Sequence, residues 1–202
     1  MKKIPMLLAM TFDDKGNRVI TNEVSEKARF LLDNPDAVAT WKRDGTAVKL
    51  NEDDEWFARR TVKKGKSAPA GFILEEFDPV TGHSFGWEPI EGSAFRKMWK
   101  RAVEGEDFAP GTFELIGPKI NGDPEKIGKD TLIRHGSEII EDFPTIDEIK
   151  EHEDDVIGFL LPFFTDFRAR GIEGIVWWVD GVPAVKLRAK DFFPEMDSRF
   201  RR

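Results

Sequence analysis

Residues 38–50 read VATWKRDGTAVKL. Val38, Ala39, Thr40, Trp41 and Lys42 make one short run containing branched and aromatic side chains, and Thr46, Ala47, Val48, Lys49 and Leu50 make a second. Side chains of this kind pack well on a pleated surface and favour extended backbone. Asp44-Gly45 stands between the runs, a pair that tolerates the positive φ angles of a tight turn, so a β-hairpin is predicted. The pattern returns at residues 172–188, IEGIVWWVDGVPAVKLR, around Asp180-Gly181. If that turn has two residues, Val179 faces Val182, and counting outward sets Ile175 opposite Lys186 and Glu173 opposite Arg188. Glu173, Ile175, Trp177, Lys186 and Arg188 are then predicted to share one sheet face. The neighbouring Trp177 and Trp178 are predicted to pack on opposite faces.

Further strands are predicted at residues 55–62, 71–77, 112–116 and 131–135, with an ordinary first strand in residues 1–10. A helix is expected after Ser93, because Ala94, Phe95, Met98, Trp99, Ala102 and Val103 recur at helical spacing. Thr145 and Glu148 form a capping box for another. Residues 156–170 are ambiguous, since Pro162 must start, break or kink whatever element holds it. With no repeat, low-complexity tract or linker, the expectation is a single domain over residues 1–202 made of short strands mixed with a few helices.

Composition removes several classes of function. The absence of cysteine excludes disulfides, thiolate zinc sites and a cysteine nucleophile, and fits a cytoplasmic protein. His83, His135 and His152 lack metal-ligand spacing. No segment approaches the roughly 20 apolar residues of a membrane helix, so a soluble protein is expected. The net charge of −7 opposes a global nucleic-acid-coating field, which confines phosphate binding to local clusters such as Arg59, Arg60, Lys63, Lys64 and Lys66.

Lys42-Arg43-Asp44-Gly45 fits K-x-D-G, in which a strand-end lysine can become a nucleophile for phosphorus. Chance alone supplies that pattern in roughly one chain in twenty of this length. The ordered blocks that follow carry more weight: Arg59 in a basic strand, Glu114 in FELIG, Glu173 in EGIV, then Lys186-Leu187-Arg188. This series resembles the motifs of the covalent nucleotidyltransferase superfamily, which holds DNA ligases, RNA ligases and mRNA capping enzymes. Residues 113–125 (FELIGPKINGDPE), 78–90 (DPVTGHSFGWEPI) and 132–136 (LIRHG) narrow the likeness to small ATP-dependent RNA ligases, the family that includes a vertebrate 5′-to-3′ RNA ligase. The resemblance runs from about residue 39 to residue 190.

The resemblance implies an α+β fold, a nucleotidyltransferase domain whose antiparallel sheets form a nucleotide cleft flanked by helices. It implies that Lys42 attacks the α-phosphorus of ATP and that AMP then passes to an RNA 5′-phosphate before a 3′-hydroxyl displaces it. A lysine must be neutral to attack, a state favoured by surrounding cations and by Mg2+ or Mn2+. By the same resemblance Glu173 matches the metal-binding carboxylate. Glu114 matches a glutamate near the ribose hydroxyls and a metal, and Lys186 matches the cation on the α-phosphate. The family's usual K-x-K is Lys186-Leu187-Arg188 here, with Lys190 as another candidate for the second cation. Arg59 is expected to meet nucleotide or RNA 5′-phosphate, with Arg60 turned the other way. Thr40, Trp41, Asp44 and Gly45 are expected to border the nucleotide. Residues 192–202 are too few for a C-terminal OB-fold, which disfavours DNA nick sealing and capping. Arg199, Arg201 and Arg202 form a small basic tail. A non-catalytic RNA-binding domain of the same fold is the rival of a different class.

Overall fold

The computed structural model describes residues 3–193, so Arg199, Arg201 and Arg202 lie outside the described residues. In chain order the strands and helices are β1 (Leu8–Phe12), β2 (Arg18–Val24), β3 (Val38–Lys42), β4 (Thr46–Leu50), β5 (Trp56–Val62), β6 (Ile73–Asp78), β7 (His83–Pro89), α1 (Arg96–Ala102), β8 (Gly111–Ile116), β9 (Thr131–Arg134), α2 (Ile146–Glu151), α3 (Val156–Ala169), β10 (Gly174–Val179), β11 (Val182–Arg188) and α4 (Ala189–Phe192). The α+β expectation holds, with every paired strand antiparallel to its neighbour. The strands β1, β2 and β7 lie in stretches with no strand prediction or a looser one. The residues gather into two compact units, one of residues 44–135 with Lys3 and one of residues 4–43 and 136–193.

The unit of residues 44–135 is built on a six-stranded sheet in the order β6-β7-β5-β4-β8-β9. Strand alternation sends Val48, Leu50, Ala58, Phe113 and Leu115 to one face, where they are buried with Ile90, Ala102 and Ile120. Helix α1 packs Met98 and Trp99 against this core, as the helical spacing requires.

The other unit carries the sheet β11-β10-β3 and the two-stranded sheet β1-β2. Its core joins Leu7, Leu8 and Leu31 to Ile175, Trp177, Val185 and Leu187 from the sheet. The ambiguous residues 156–170 prove to be mainly helix α3, which continues through Pro162. It buries Val156, Leu160, Phe164 and Phe167 along one stripe, each such burial stabilising by about 1.5–3 kcal/mol. Four such contributions outweigh the roughly 3 kcal/mol that Pro162 costs by forgoing a backbone hydrogen bond and crowding the preceding turn.

At α2 both halves of the capping box are present between Thr145 and Glu148. The Thr145 backbone N–H, and next its hydroxyl, hold the Glu148 carboxyl below its usual range. Because its folded pKa is depressed, the stability it adds is present above pH 4.5, its ordinary value, and is lost as pH falls through the folded one. Thr145→Ala is expected to cost about 1 kcal/mol at neutral pH, read by chemical denaturation.

The first predicted hairpin does not form. Strands β3 and β4 have the expected bounds but join different sheets, β3 pairing with β10 and β4 with β5 and β8. A two-residue type I′ turn needs positive φ at both central residues and a type II′ turn at the first, and neither Asp44 nor Gly45 has it. The second hairpin does form. Asp180 and Gly181 take φ of 51° and 73°, and Val179 faces Val182 as counted.

Candidate active site

Strand β10 runs between β3 and β11 in the three-stranded sheet, so its rows fix what lies beside Lys42. Gly174 pairs with Lys42 on one side and Arg188 on the other, and Val176 pairs with Thr40 and Lys186. Lys42, Thr40, Lys186 and Arg188 therefore share a face. This corrects the predicted grouping of Glu173, Ile175, Trp177, Lys186 and Arg188. A β-bulge between the Trp177 and Trp178 rows leaves Ala184 unmatched, shifting all later pairs by one residue. Pro183, which has no N–H to donate, stands at this irregularity. Ile175 and Trp177 point instead into the core, almost fully buried.

Glu173 immediately precedes β10, and its Oε2 meets the Nζ of Lys42 in a salt bridge. Both side chains are mostly shielded, 23% and 20% exposed, so the pair feels less screening than a surface pair. Arg188 is gripped bidentately by the buried Asp191 at 2.8 and 2.7 Å, which fixes its direction at the end of β11. Lys190 is exposed on α4.

The other edge of β3 is held as well. The Trp41 N–H donates to the Glu138 carbonyl at 3.0 Å and the Ile140 N–H to the Ala39 carbonyl at 3.0 Å. Glu138 also takes Arg43 bidentately, each bond 2.8 Å. The strand that presents Lys42 is thus pinned on both sides. Thr40 is buried, donating to the Val176 carbonyl at 3.2 Å and accepting from Trp178 Nε1 at 3.0 Å. Trp41, expected beside nucleotide, points the opposite way from Lys42 and packs on Phe167 with ring centroids 4.9 Å apart. Alternation along β3 dictates this, because residues 40 and 42 face one way and residue 41 the other.

In the six-stranded unit, Glu114 on β8 lies in the row of Ala47 and Ile133. Its Oε1 accepts the Gly45 N–H at 3.1 Å, and its Oε2 meets His135 Nε2 at 2.9 Å. Asn121 Nδ2 donates to Asp44 Oδ1 at 2.7 Å and to the Gly45 carbonyl at 2.9 Å. Residues 44–45 are thereby fixed by two side chains. A Cβ on Gly45 would lie 2.3 Å from the Leu115 carbonyl oxygen, so the close approach itself requires glycine.

Arg59 and Arg60 point to opposite faces, as alternation predicted, Arg59 pairing with Trp87 and Arg60 with Gly86. Arg59 meets Glu75 and lies over the Trp87 ring at 5.4 Å. Burial lowers its pKa and the charge of Glu76 works against that, leaving a guanidinium that stays protonated. Lys49, absent from the sequence candidates, shares its face and lies 5.4 Å over the same ring.

No family model matches the chain. RNA ligase 1 of Mus musculus is 28% identical over 60% of this chain, which covers 42% of the mouse protein. RNA ligase 1 of Rattus norvegicus gives the same identity and coverage. This chain is a distant relative of RNA ligases. It spans 42% of the length of the RNA ligases it matches.

Sequence reasoning about this RNA ligase relative missed Asn121 and the contact of His135 with Glu114. Both lie in the quoted blocks FELIGPKINGDPE and LIRHG, so the signal was the block itself. Among the described residues no group of three or more His, Asp or Glu side chains is assembled around a metal position. Mg2+ is commonly held by one or two carboxylates with substrate phosphates and water, a requirement that the carboxylate chemistry of Glu173 fits.

Proposed function

We propose that this chain joins RNA ends at the expense of ATP, with residues 1–202 acting as one nucleotidyltransferase domain and Lys42 carrying AMP. The contact between Lys42 and Glu173, on a sheet end shared with Lys186 and Arg188, carries this reading. Its distant RNA ligase relatives support the same class.

In the first step Lys42 Nζ bonds to the α-phosphorus of ATP, the bond from that phosphorus to the bridging oxygen breaks, and pyrophosphate leaves. Glu173 Oε2, already on Nζ, orients the amine, whose proton passes to solvent as the surrounding cations disfavour its charged form. Lys186 and Arg188 offer positive charge to the phosphate oxygens, where negative charge develops in the transition state. In the second step an oxygen of an RNA 5′-phosphate attacks the lysyl-bound phosphorus, the P–N bond breaks and Nζ regains a proton. Finally a 3′-hydroxyl bonds to the RNA 5′-phosphorus and gives its proton to solvent, while the bond from that phosphorus to AMP breaks and AMP departs with its electrons. A divalent cation held by Glu173 would neutralise phosphate charge when bound. We assign Arg59 and Glu114 to contacts with nucleotide or the 5′-phosphate, and Asp44 and Gly45 to the backbone beside the nucleophile.

Incubation with α-labelled ATP and Mg2+ tests this. Acid-labile label bound to the protein is expected, with chase into 5′-phosphorylated RNA and less labelling from GTP. Absence of any protein-bound label would overturn the reading.

A further inference from the structure

Four cations meet the apolar side chains of Phe72, Leu74 and Phe77 at one end of the six-stranded sheet. Val62, Ser84 and Phe77 form one row across β5, β7 and β6, and Arg60, Gly86 and Leu74 form the next. An irregularity at Glu75 keeps Leu74 and Phe77 on the same face although three residues separate them. Gly86 makes room there for Phe72, whose Cζ would lie 2.6 Å from a Cβ at that position. Leu74 and Phe77 are 57% and 56% exposed on the edge strand. Lys63, Lys64 and Lys66 follow β5 directly and are all exposed, and the Lys64 stem lies against Gly82 in the turn between β6 and β7.

The neighbouring carboxylates already have partners. Glu75 meets Arg59 on the opposite face, Glu88 lies 3.7 Å from Arg60, Asp78 accepts the Val80 N–H at 2.9 Å, and Glu76 accepts the Lys3 N–H at 3.0 Å. Among the described residues none of the ammonium groups of Lys63, Lys64 and Lys66 meets a carboxylate. Positive charge is therefore concentrated here, beside half-exposed rings, in a chain of net charge −7.

We propose that this surface holds the single-stranded flank of an RNA substrate, an inference that rests on the reading of the chain as an RNA-joining enzyme. Phosphates lie along the three lysines and Arg60, and bases stack on Phe77 and Phe72. Cations that track a backbone, combined with rings that accept any base, are how proteins bind single strands without reading sequence.

The test is titration of the full chain with a fluorescent single-stranded oligouridylate over a range of salt concentrations. The Lys63→Ala/Lys64→Ala/Lys66→Ala variant is expected to bind about tenfold more weakly. Its slope of log affinity against log salt should fall by about 2, since three phosphate contacts at about 0.7 each are lost. Phe77→Ala is expected to bind about fivefold more weakly with the slope unchanged, because stacking releases no counterions. Both variants should take up AMP from ATP like the parent. RNA affinity within twofold of the parent in both variants would overturn the proposal, and is the result expected if the lysines only protect an open sheet edge. No measurable RNA binding by the parent would overturn it too. If the parent binds RNA through these residues but never takes up AMP, the surface stands and the ligase reading falls.

Discussion

Lys42→Ala protein is expected to take up no label from α-labelled ATP, a loss of at least about a thousandfold, while remaining folded. On the proposed reading the substitution deletes the atom that bonds to phosphorus, and among the described residues no neighbour offers an equivalent nucleophile in the same place. Lys186 stands one row away on the sheet, and Arg188 is a guanidinium held by Asp191. Stability should change little. Glu173 loses its partner, but it is 20% exposed and Lys186 and Arg188 share that face, so the cost lies between the roughly 1 kcal/mol of an exposed pair and the roughly 3 kcal/mol of a buried one. Lys42→Arg makes the argument sharper, because it keeps a positive charge beside Glu173 and removes nucleophilicity. It too should acquire no label. Label on either variant equal to the parent's would show that AMP is carried elsewhere, and the Lys42–Glu173 pair would then be an ion pair of ordinary structural kind. Intact-mass measurement after ATP treatment reads the outcome directly.

The two Asp-Gly pairs show what sequence could and could not tell. Both carry the same local signal, and only Asp180-Gly181 becomes a hairpin. At Asp44-Gly45 long-range partners prevail: Glu114 and Asn121 hold the backbone from 69 and 76 positions away, and each flanking strand finds a different sheet. Local propensity cannot register such a competition. Strand bounds were legible because branched and aromatic runs end at glycine, proline and aspartate. The faces were legible only where pairing is regular. Arg59 and Arg60 divide as alternation demands, and so do Trp177 and Trp178, whereas the unmatched Ala184 defeats the count that placed Lys186 beside Ile175. A bulge adds one residue to one strand and leaves no mark on the hydrophobic pattern that period-two counting can see. Lys42, Lys186 and Arg188 share a face because the bulge turns both cations onto it, and Glu173 meets Lys42 from the strand end.

Gly174→Ala is expected to impair the chemistry more than its single added methyl suggests. Gly174 is the pairing partner of both Lys42 and Arg188. A Cβ there would lie 2.1 Å from the Leu187 carbonyl oxygen and 2.7 Å from the Arg188 Cα. These are backbone atoms of a paired strand, so relief requires β10 and β11 to separate rather than a side chain to rotate. Overpacking of this kind costs about 1–3 kcal/mol, visible as a lower denaturation midpoint. The effect on reaction should be larger, because the displaced backbone carries Arg188 and lies between Glu173 and the rest of β10. A misplacement of about 1 Å at a reacting group lowers rate by roughly a hundredfold. Gly174→Ala should therefore transfer AMP to Lys42 about a hundred times more slowly at a temperature where the protein is still folded. A folded variant with the parent's rate would mean that the spacing of these strands does not set the position of the reacting groups. The same rate with lowered stability would confine Gly174 to a packing role, since a tight backbone approach in a buried sheet costs stability wherever it occurs.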